Sequence, residues 1–93
     1  MPYIAQSKRA FFDAEIDQLA RLLKNAQIDD DNNQEGNFNY IISSLIHRVY
    51  GPNYRYRQVN DIVGMLECVK QEFYREVAAP YEDQKAKENG AVY

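Results

Sequence analysis

The sequence predicts an all-α protein: a small three-helix bundle with a long third helix and a C-terminal helical extension after Pro80. Three observations carry this expectation. Apolar residues recur at helical spacing in three stretches. No stretch shows sustained apolar and polar alternation of the kind a half-buried strand needs. The breaks between the stretches are short and built of turn residues, the polar run 29–36 and the pair Gly51-Pro52.

In the first stretch Ser7 is expected to cap a short turn, and Asp13 to cap the main helix by accepting its orphan first-turn amides. Ile16, Leu19, Leu22, Leu23 and Ala26 then share a face expected to meet the core, with Phe12 placed as a hydrophobic staple. The run from Asp29 to Gly36 reads as a solvated loop. As an EF-hand it fails: counted from Asp29, Gln34 stands where glycine is needed and Tyr40 where the bidentate glutamate belongs.

The second helix is expected from about Asn37 or Asn39 to Tyr50, with Ile41, Ile42, Leu45, Ile46, Val49 and Tyr50 as its apolar stripe. Gly51-Pro52 stops it. The third starts near Arg57 or Asn60. Its residues Val59, Ile62, Leu66, Val69, Phe73 and Val77 fall in one narrow arc, with Met65 at the edge. Pro80 is expected to end or kink it, because proline lacks an amide hydrogen and its ring crowds the preceding turn. Tyr81 to Asn89 continues as a short helix, and Gly90 is its natural stop.

With 93 residues, one domain spanning 1–93 is expected, with a thin margin of stability unless a partner helps. A single cysteine, Cys68, builds neither a bridge nor a zinc site. No apolar run reaches the ~20 residues of a membrane span, and the N-terminus lacks the basic start and apolar stretch of a signal peptide. A cytoplasmic setting is the expectation. A net charge of −3 and a pI of about 5.0 argue against binding nucleic acid through its phosphates. A local patch can still hold one small anion.

Self-association is expected on two grounds. The third helix, about 30 Å long before Pro80, outreaches its neighbours and leaves Phe73 and Val77 needing cover. Gly64 and Cys68 lie on its other side, where small side chains permit another helix to approach; the plainer reading is a tolerated glycine and an inert buried thiol. A two-fold dimer or a higher homo-oligomer would satisfy the first ground.

No set of side chains reads as catalytic machinery, metal centre or cofactor site. His47, the single histidine, would need an orienting partner, with Ser43, Ser44 or Asp61 as candidates. Cys68 stands mid-helix, away from the helix N-termini that favour a thiolate. Glu67, Glu72 and Glu76 lack the Glu-x-x-His elements of a di-iron bundle.

The main ligand candidates are Arg48, Tyr54, Arg55, Tyr56 and Arg57. Arginine grips phosphate or carboxylate bidentately, tyrosine offers a stacking face and a hydroxyl, and the group precedes a helix N-terminus. The alternative is structural: tyrosines covering the end of a bundle and arginines paired with acidic segments. Lys8 and Arg9 are secondary candidates. Eight tyrosines in the chain suit contact surfaces in general.

The chain resembles a family of small uncharacterised prokaryotic and bacteriophage proteins. The likeness rests on Asn39-Tyr40, on the run from Val59 to Lys70 followed by Glu72-Phe73-Tyr74-Arg75, on Pro80 to Lys85, and on Glu88 to Tyr93. Family members more often end Asn-Gly-Asp-Val-Tyr, so Ala91 is a departure, and any role of an aspartate there is lost or moved. The resemblance implies that Asn39, Tyr40, Tyr81, Glu88, Asn89 and Tyr93 form a structured C-terminal feature. It carries no established activity. A phage setting, in a host cytoplasm, would suit sequestration of a small nucleotide immune signal. The expected function is thus a non-enzymatic, self-associating helical module that binds a protein partner or small anionic ligand, with a (cyclic) nucleotide sponge as the alternative and a small enzyme using His47 as the third.

Overall fold

A computed structural model of the protein describes residues 3–26 and 33–93. Helix α1 spans Gln6–Ala26, α2 Gln34–Tyr50 and α3 Tyr56–Phe73; a π turn, Tyr74–Ala78, leads into α4, Ala79–Asn89. No strand occurs among the described residues. The last three elements run on without a break, so the third helix is 34 residues long, or about 50 Å. No helix among the described residues is long and apolar enough to cross a membrane. The chain divides into two compact units, residues 3–54 and 55–93.

In the first unit, α1 starts at Gln6 and runs straight through Asp13. The two expected caps, Ser7 and Asp13, are therefore both inside the helix. Ala10, Phe11 and Phe12 offer nothing to break it, and a helix once nucleated extends at little cost. Helix α2 starts earlier than expected. Asn33 caps it, its side-chain oxygen accepting from the Gly36 amide at 3.0 Å, so Gly36 belongs to the first turn. The other residues of the expected loop, 29–32, lie outside the described residues.

Gln34 ties the two helices together. Its Nε2 donates to the Leu23 carbonyl at 3.1 Å, and its Oε1 accepts from Asn37 Nδ2 at 3.0 Å. This joins the last turn of α1 to the first turn of α2. Leu19, Leu23, Ala26 and Ile41 are half-buried beneath this tie. Several expected core positions, Ile16, Leu22, Ile42, Leu45 and Val49, are instead exposed.

In the second unit, the Arg55 amide donates to Gln58 Oε1 at 3.0 Å and closes half a capping box. The other half is missing because a guanidinium has no acceptor. Among the described hydrophobic residues only Ile62 is buried. Cys68 is exposed, and a Cβ at Gly64 would meet nothing within 4 Å. The thiol expected to be buried is thus exposed, and no described residue of the chain packs against the Gly64 side of α3. Opposite charges one turn apart line its surface: Glu67 with Lys70 at 3.2 Å, Lys85 with Glu88 at 3.3 Å, and Glu72 with Arg75.

Pro80 does not end the helix. Without an amide hydrogen it cannot bond the carbonyl four residues back, and its ring would press on that turn. The chain widens just before it: the Ala79 amide reaches the Tyr74 carbonyl, five residues back. One extra residue in the turn makes room for the ring, and α4 resumes. It stops at Gly90, whose φ of 92° is a conformation other residues rarely adopt.

Candidate functional site

The basic-aromatic junction is split between the two units: Arg48 and Tyr54 belong to the first, Arg55, Tyr56 and Arg57 to the second. In the first unit the junction is built around His47. Its Nδ1 lies 2.8 Å from the Tyr54 hydroxyl, with ring centroids 5.8 Å apart and planes tilted by 35°. The chain turns between them at Gly51-Pro52, a cis peptide. Gly51 is extended rather than left-handed (φ −83°, ψ −178°), and its amide donates to the His47 carbonyl at 2.8 Å.

What the turn needs from glycine is space. A Cβ on Gly51 would lie 2.6 Å from His47 Nδ1 and 2.8 Å from its carbonyl oxygen. His47 thus finds neither serine nor carboxylate but a phenol, which can accept from or donate to an imidazole nitrogen. Ser43 donates instead to Asn39 Oδ1 at 3.1 Å. The arrangement ties the Tyr54 hydroxyl to the end of α2.

In the second unit, Arg55 is the N-cap of α3, and Tyr56 and Arg57 are its first two residues. All three side chains are exposed. Arg48, Arg55 and Arg57 form no ion pair with a described residue, and the same holds for Lys8 and Arg9 in the first turn of α1. The cations that do pair, Lys70, Arg75 and Lys85, lie further along the third helix. In the second unit, Arg55 and Arg57 therefore flank the exposed Tyr56 in sequence with no ion-pair partner among the described residues, chemistry suited to an anion with a flat, stackable part.

The remaining candidates fall in both units. Tyr40 helps line an open apolar groove of about 380 Å³ between α1 and α2, with Leu19, Leu22, Leu23, Asn37 and Ile41. Lys85 sets its ammonium 5.6 Å from the Tyr81 ring centroid and reaches Glu88. Asn89 closes α4, and Tyr93 stands fully exposed beyond it. Among the described residues, no group of three or more His, Cys, Asp or Glu could hold a metal ion.

One arrangement had no counterpart in the sequence reading. The Tyr74 hydroxyl donates to Glu82 Oε2 at 3.3 Å across the π turn. The Glu82 carboxylate, by its charge and then by this hydrogen bond, raises the Tyr74 phenol above its ordinary value. The available signal was a proline set among helix-forming residues, with apolar positions on both sides of it. On the outer face of α3, Glu67 is held below the usual carboxylate range by the Gln71 amide and then by Lys70.

No curated protein and no solved structure matches the chain. A family model does, over residues 1–92, and the chain belongs to that family, described as Domain of unknown function (DUF6899).

Proposed function

We propose that the protein is a non-enzymatic helical module that associates with copies of itself and binds a protein partner or a small anionic ligand, in a cytoplasmic setting. The observation that carries this reading is the balance of burial. Ile62 is the one buried hydrophobic residue among those described, while aromatic and aliphatic side chains along all three helices stand in water. Apolar surface left exposed forgoes about 25 cal/mol per Å², and continuous apolar patches on small proteins mark contact surfaces. The pairing of His47 with Tyr54, in place of a carboxylate, speaks for a structural histidine.

A second reading, sequestration of a (cyclic) nucleotide immune signal of the kind a phage would target, is favoured by Arg55 and Arg57, which flank Tyr56 without a carboxylate partner among the described residues. Native mass spectrometry of the purified chain, alone and with mono-, di- and cyclic nucleotides, tests both. A defined oligomer without nucleotide gain supports the module. An oligomer that gains a nucleotide mass, lost in Arg55→Ala with its helicity kept, supports sequestration. A monomer at every concentration overturns self-association.

A further inference from the structure

We infer that the part of the third helix around the π turn pairs antiparallel with the same part of a second copy, and that the π turn sets the register of this surface. This rests on the self-association reading above. Its residues are Val69, Phe73, Val77 and Tyr81, exposed by 55%, 62%, 52% and 63%.

They are spaced four apart. In an unbroken α-helix each such step drifts about 40° around the axis, so the four would spread over about 120° and form no straight seam. The π turn lies inside this span, at Tyr74–Ala78. It counts as one inserted residue and withdraws about 100°. The four side chains therefore fall back into one stripe parallel to the helix axis. The Tyr74 to Glu82 hydrogen bond reports the same correction: eight residues apart, the two would otherwise stand about 80° apart on the helix surface. By the same count Lys70, Tyr74, Ala78 and Glu82 form a second row along one flank of the stripe.

The order of side chains says what fits there. Along the stripe they alternate small and large: Val69, Phe73, Val77, Tyr81. Two copies related by a two-fold axis near the middle of the π turn set Phe73 against the partner's Val77, and Val69 against the partner's Tyr81. Every layer then combines a large and a small side chain, the condition for interdigitated packing, and the contact is self-complementary as two-fold symmetry demands. The flanking row follows suit, with Lys70 facing the partner's Glu82 and Tyr74 facing the partner's Ala78. Parallel pairing would instead stack Phe73 on Phe73 and leave voids between valines. The exposed parts of these side chains amount to on the order of 500 Å², the apolar centre of an interface that needs about 800 Å² per partner.

The test uses the full chain in a Cys68→Ser background, with Phe73→Cys and Val77→Cys chains oxidised singly and as an equal mixture. Antiparallel pairing gives the mixed 73–77 disulfide about tenfold faster than either same-site product, whereas dominance of same-site products overturns it. Phe73→Asp, checked for unchanged helical circular dichroism, is expected to weaken association about a hundredfold; an unchanged mass overturns the stripe. Pro80→Ala, which removes the cause of the π turn and restores a regular α-helix, is expected to weaken association at least about tenfold by turning Tyr81 about 100° off the seam; unchanged association overturns the register role. A wild-type chain that is monomeric throughout defeats the self-association reading itself. An oligomer indifferent to all these changes defeats this surface alone.

Discussion

His47 and Tyr54, seven residues apart on either side of a Gly-Pro turn, are joined by a 2.8 Å contact between the imidazole Nδ1 and the phenol oxygen. The turn permits this because Gly51 has no side chain to collide with the imidazole ring. Gly51→Ala is therefore expected to destabilise the first unit by about 2 kcal/mol, combining steric displacement with the lost contact. Tyr54→Phe removes only the hydrogen bond and should cost about 0.5–1 kcal/mol. Urea unfolding followed by circular dichroism compares the two. A Gly51→Ala protein as stable as wild type would show that the ring and the turn are not coupled.

The Asn33 cap gives a second expectation. Its side-chain oxygen is the acceptor for the Gly36 amide, and truncation leaves that amide without a protein partner. Asn33→Ala should cost about 1 kcal/mol, and Asn33→Asp should retain most of the stability because a carboxylate accepts the same bond. Thermal unfolding of the two variants decides it; equal losses would mean that the cap is not the cause.

Gln34 carries a third. It links the Leu23 carbonyl to Asn37, so Gln34→Ala should loosen the end of α1 at a cost of about 1 kcal/mol. The signature is faster amide hydrogen exchange confined to the last turn of α1 and the first of α2. Exchange that rises uniformly, or not at all, counts against a local tie.

These local devices differ in how far the sequence revealed them. The helical class, the stop at Gly90 and the break at Gly51-Pro52 were legible because glycine, proline and helical spacing act over a few residues. The role of Gly51 was not, since the clash it avoids depends on where the His47 ring lies. Asp13 looked like a cap only because a short polar residue preceded a periodic run; the helix-forming residues before it won. Pro80 was legible only as a disturbance, a stop or a kink. Its effect on the chain is fixed by the turn ahead of it, and the sequence does not say whether that turn breaks, bends or widens. In the candidate site, His47 and Tyr54 were each visible, but their pairing was not. The exposure of Ile16, Leu22 and Val49 was likewise hidden, because an apolar stripe looks the same whether its own chain or another molecule covers it.

The widened turn yields the last expectation. The Tyr74 phenol is raised above its ordinary value, first by the charge of Glu82 and then by the hydrogen bond to it. A raised folded-state value means that the protonated phenol is favoured by folding. The stabilisation is complete below the ordinary phenol value of about 10 and is lost as pH rises through the raised one. Glu82→Gln removes the charge and should lower the Tyr74 value towards that of a free phenol, as read from phenolate absorbance against a Tyr74→Phe control. Pro80→Ala should do the same without touching either partner. It removes the cause of the π turn, and the restored α-helix carries Glu82 around the axis and away from Tyr74. If Glu82→Gln shifts the phenol and Pro80→Ala does not, the π turn persists without its proline and the helix geometry around residue 76 has another source. If neither moves it, the tyrosine and the glutamate do not meet in solution.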